Sequence, residues 1–67
     1  MRTVSISAAE HAFRDALHAL ELARTDWLRD KCLATERRLS RARHARAVAI
    51  ERLAFARRLE RAERGAA

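Results

Sequence analysis

His11, Asp15 and His18 recur at i, i+4 and i+7, a spacing that on a helix puts two imidazoles and a carboxylate on one side, where they could share a metal ion. Three such groups with no fourth ligand nearby in sequence read instead as a solvated His–Asp face, and no metal or other cofactor is expected. Cys32 is the only cysteine, so no disulfide can form within the chain, and a reducing, cytoplasmic setting suits it. Its simplest role is that of a small apolar residue at a helix interface. The sequence has no glycine-rich phosphate loop, no paired cysteines and no nucleophile–base arrangement. These observations point away from catalysis, and the chain is read as non-enzymatic.

The strongest chemical signal is charge. Residues 37–46 read RRLSRARHAR, five arginines and a histidine with no acid among them. Residues 1–34 balance five bases against five acids, whereas residues 35–67 set ten arginines against four acids, so the whole net charge of +6 lies in the second half. An asymmetry of this kind suggests an anionic partner, either nucleic acid or an acidic protein surface. Arg37, Arg38, Arg41, Arg43 and Arg46 are the candidate partner contacts, joined by Trp27, since arginine and tryptophan are the side chains that most often anchor protein interfaces.

These residues need elements to position them, and the composition allows one kind. Proline is absent, Gly65 is the only glycine, and Ala, Arg, Leu and Glu dominate, so an all-α chain is expected. Thr3 to Ser7 alternates polar and apolar residues, the period of a strand, and is read as an extended arm over residues 1–6. Ser7-Ala8-Ala9-Glu10 has the form of a capping box and predicts the start of the first helix. Beyond it Phe13, Leu17, Leu20, Trp27 and Leu28 fall on one helical side as a buried stripe. In the second half Val48, Phe55, Leu59 and Ala62 form one stripe, and Ala42, Ala45, Ala49, Leu53 and Ala56 form another.

Folding the chain about position 37 or 38 sets Trp27 against Val48, Leu20 against Phe55, Leu17 against Leu59 and Phe13 against Ala62. Every pair is apolar. The expectation is therefore an antiparallel two-helix hairpin over residues 7–64, with its turn near 35–40, capped by Thr35 or Ser40, and the arginine-rich stretch at its tip. Residues 65–67 are read as a frayed tail after Gly65. The alternative is one long coiled-coil helix, because positions 13, 17, 20, 24, 27, 31 and onward follow heptad steps; five basic residues in that seam count against it.

A chain of 67 residues buries only roughly 60% of its unfolded surface, so a partner or a second copy is expected. The face containing Ala42, Ala49, Ile50 and Leu53 is the candidate dimer or partner face, and pairing there would give a four-helix bundle. No apolar run after Arg2 resembles a signal peptide, and none is long enough to span a membrane. Two functions remain. One is a small regulator that inhibits, blocks activation of, or recruits a larger protein; the other is a basic helical nucleic-acid-binding protein that lays residues 37–46 on phosphates.

Overall fold

The computed structural model describes residues 5–66. They form two helices, α1 (Ile6–Arg29) and α2 (Leu33–Ala66), packed antiparallel as a hairpin. The long single helix is excluded by the break between them. Of the extended arm, residues 1–4 lie outside the described residues.

The N-cap of α1 lies two residues before the Ser7 of the expected capping box. Ser5 is the N-cap, with extended backbone angles, and its side chain accepts from the Ala8 amide at 3.4 Å. The physical gain is Ile6, which the earlier start brings onto a cluster formed by Ala9, Leu53 and Ala56. Glu10 is drawn across the hairpin instead, to 3.9 Å from Arg57. Thr25, which could have ended the helix, donates its hydroxyl to the Glu21 carbonyl at 3.0 Å and leaves α1 running on.

The turn is Asp30–Lys31–Cys32, not the stretch near 35–40. Asp30 closes α1 in an extended conformation, its amide donating to the Asp26 carbonyl at 2.9 Å. Thr35 binds the two sides together. Its Oγ1 donates to the Asp30 carbonyl at 2.6 Å and accepts from the Cys32 amide at 3.1 Å. Cys32 is thus the cap of α2 and Thr35 its third helical residue, taking the place that glutamate holds in a capping box. The hydroxyl is buried, with Thr35 6% exposed, and fully used.

A turn centred on Lys31 imposes a different register from the one expected about 37. Residues equidistant from 31 face each other: Ile6 and Ala56, Ala9 and Leu53, Leu20 and Ala42, Ala23 and Leu39 belong to shared clusters. The positions involved, 6, 9, 13, 16, 20, 23 and 27 on α1 and 35, 39, 42, 46, 49, 53 and 56 on α2, keep heptad spacing on both helices. Each layer sets one large side chain against one small one, which lets the layers interdigitate. The matching of Leu20 with Phe55 and Leu17 with Leu59 does not occur; Phe55 is 47% and Leu59 38% exposed.

The core falls into two clusters, one at each end of the hairpin. The middle layer explains the gap, because the position facing Ala16 is Arg46, which remains exposed. The seam ends at Ala56, opposite Ile6. α2 continues for ten more residues beyond that layer, through Gly65, so the expected frayed tail is helical as far as Ala66. The result is a slender rod of 53 × 17 × 14 Å.

Candidate functional site

The arginine-rich stretch does not form the tip of the hairpin. It lies in the first half of α2 with Arg37, Arg38, Arg41, Arg43 and Arg46 all exposed, and at about 100° per residue these side chains spread around the helix. Arg37 and Arg41 point away from α1. Arg38 reaches back along one edge of the hairpin to within 3.7 Å of Asp26. Arg43 lies on the other edge, beside Trp27, and Arg46 occupies the seam itself. The fold therefore disperses the five residues.

Trp27 is half-buried, its ring packed on the cluster of Leu20, Ala23 and Leu39. The Lys31 ammonium sits 5.0 Å from the ring centroid, a cation–π contact that covers part of what the core leaves open. Of the four residues read as a partner face, Ala49 and Leu53 are buried within the hairpin and Ala42 packs on the Leu20 cluster. The new register claims them for the chain's own core. Only Ile50 stays exposed, at 46%.

Ile50 borders a shallow groove of about 550 Å³ on one edge of the hairpin, floored by Phe13, Leu17, Leu53 and Ala54 and ended by Glu10 and Arg57. A second apolar surface lies on the outer side of α2. Val48, Phe55 and Leu59 follow one another there at helical spacing, and Leu22 of α1 is 55% exposed. Sequence reasoning named the stripe of Val48, Phe55 and Leu59 but assigned it to the interior. Its competitor, the alanine-rich stripe, took that place because small residues admit the large side chains of α1.

Cys32 is exposed at the turn. The Thr35 hydroxyl, 3.5 Å from the sulfur, and next the Thr35 amide at the helix start, hold its thiol below the ordinary range. That hydroxyl has a single proton, directed at Asp30 in the turn, so supporting a thiolate means turning it toward sulfur. His11 lies with Nδ1 3.1 Å from the Ser7 carbonyl oxygen, a local contact along α1. Among the described residues no three His, Cys, Asp or Glu side chains come close enough to hold a metal ion.

Comparison with known protein families, with curated proteins and with solved structures finds no match for this chain. No helix among the described residues is long and apolar enough to cross a membrane.

Proposed function

We propose that this chain is a small non-enzymatic binding protein that acts on a larger protein as an inhibitor, anti-activator or adaptor, in a cytoplasmic setting. The dispersal of its arginines around α2 carries the reading. A nucleic-acid backbone offers phosphates in a row, and affinity grows with the number of cations that reach them together. Here Arg38 leans toward Asp26, Arg43 and Arg46 face other directions, and Arg37 and Arg41 alone project outward together. A protein surface asks for something else: a few arginine or aromatic anchors next to exposed apolar side chains. Leu17 and Ile50 beside Arg57, and Trp27 beside Arg43, supply such combinations.

The test is a titration against duplex DNA and structured RNA at physiological salt, beside co-purification from the native host with and without nuclease. The expected results are weak, salt-sensitive, sequence-indifferent nucleic-acid binding and one protein retained after nuclease treatment, which then binds the purified chain directly. Submicromolar nucleic-acid affinity at that salt, lost when Arg37, Arg38, Arg41 and Arg43 become Gln with helicity intact, would establish the nucleic-acid reading instead.

A further inference from the structure

α2 carries two seams. The inner one is satisfied by α1. The outer one runs through Ala45, Val48, Arg52, Phe55, Leu59 and Ala62 at the same alternating steps of three and four, about a quarter to a third of the way around the helix from the first. It continues past Ala56, where the α1 seam ends and α2 projects alone. We propose that this outer seam is the dimer interface, and that its occupant is the outer seam of a second copy of the chain, running antiparallel about a two-fold axis between Arg52 and Phe55.

The stripe is self-complementary under that axis. Val48 meets Leu59 of the second copy, Ala45 meets Ala62, and each Arg52 meets a Phe55 ring, so no arginine faces an arginine within the seam. An isologous contact requires this reciprocity. The flanking charges obey it too. Glu51 lies opposite Arg58 of the second copy, twice, with the same stagger relative to the layers that brings Asp26 to Arg38 inside the hairpin. These two pairs act locally against the repulsion between chains that each carry +6.

The exposed area agrees. The chain presents 5468 Å² to solvent, whereas a compact protein of its 7.7 kDa mass presents about 4,300 Å². The excess, about 1,100 Å², is enough to supply the roughly 800 Å² that each partner contributes to a standard stable interface. In this register the projecting end of α2, residues 57–66, lies along residues 41–50 of the second copy's α2. This interface is separate from the Leu17–Ile50 groove and does not depend on which protein the hairpin regulates.

Analytical ultracentrifugation of the full chain across micromolar concentrations tests the proposal. A species of twice the 7.7 kDa chain mass is expected. Phe55→Glu should give a monomer. Because that monomer could lose its fold, the deciding set is electrostatic: Glu51→Arg and Arg58→Glu should each raise the dimer Kd about tenfold or more, and the double variant should restore it. A monomeric wild type overturns the proposal. So does a dimer indifferent to Phe55→Glu, or one whose two charge reversals fail to rescue each other.

Discussion

Thr35 Oγ1 donates to the Asp30 carbonyl oxygen at 2.6 Å, joining the first turn of one helix to the C-cap of the other. The same oxygen receives the Cys32 amide at 3.1 Å. Thr35→Val keeps the shape and removes both bonds, leaving the part-buried Asp30 carbonyl and Cys32 amide without this partner. The expected loss is about 1–3 kcal/mol. Thr35→Ser should keep most of that stability, since it retains the hydroxyl. Thermal and urea unfolding followed by circular dichroism will separate the two, and equal losses would refute the role given to the oxygen.

The register makes a prediction about coupling. Leu20→Ala, Leu39→Ala and Leu53→Ala should each cost about 2–5 kcal/mol, being large-to-small changes in a packed seam. Leu20 and Leu39 share a cluster, so their double variant should depart from additivity, while Leu20 and Leu53 lie in different clusters and should add within about 0.5 kcal/mol. Coupling of Leu20 with Phe55 would instead support a turn near 37.

Small residues are as specific here as large ones. Ala42 packs on the cluster of Leu20 and Leu39, and Ala42→Leu would set two large side chains in one layer. Overpacking of this kind costs about 1–3 kcal/mol. The exposed Ala47→Leu is the control and should lie within about 0.5 kcal/mol of the parent. A stable Ala42→Leu chain would mean that the layers are looser than the clusters indicate.

The Cys32 thiol, held low first by the Thr35 hydroxyl and then by the Thr35 amide, should react with iodoacetamide at lower pH than an unstructured peptide thiol. Thr35→Val should move that midpoint back up. The sign for stability follows from the depressed value: the contribution is complete above the unfolded thiol pKa and is lost as pH falls through the folded one. A reaction profile identical to that of the peptide would remove Cys32 from any special standing.

The helical hairpin was legible because the absence of proline, a single late glycine and period-3.6 stripes leave few other options. Its register was not, and the reason is physical. Two stripes on α2 compete for one α1, and a preference for large against medium side chains selects Val48, Phe55 and Leu59. The chain selects the alanines, because Ala42, Ala49 and Ala56 each leave room for a larger side chain of α1. The mirror about Lys31 pairs large residues with small ones, which a search for large-on-medium matches passes over. The turn itself was hidden, since its key residue, Thr35, resembles an N-cap and acts three positions further into the helix. The arginines were visible as a run, but a run of ten residues on a helix faces every direction, and their dispersal follows from that geometry alone.

Two helices meeting in heptad layers about a short turn have a consequence for how such a chain can change length. Seven residues inserted into α1 and seven at the matching height of α2 would add two layers and leave every other facing pair as it is. A single inserted residue between Leu20 and Trp27 would instead rotate one half of α1 by about 100° and turn its packed side chains away from α2. Deletions and insertions should therefore be tolerated in matched sevens on both sides of Lys31, as the rungs of a ladder are added or removed, while the turn from Asp30 to Thr35 admits none.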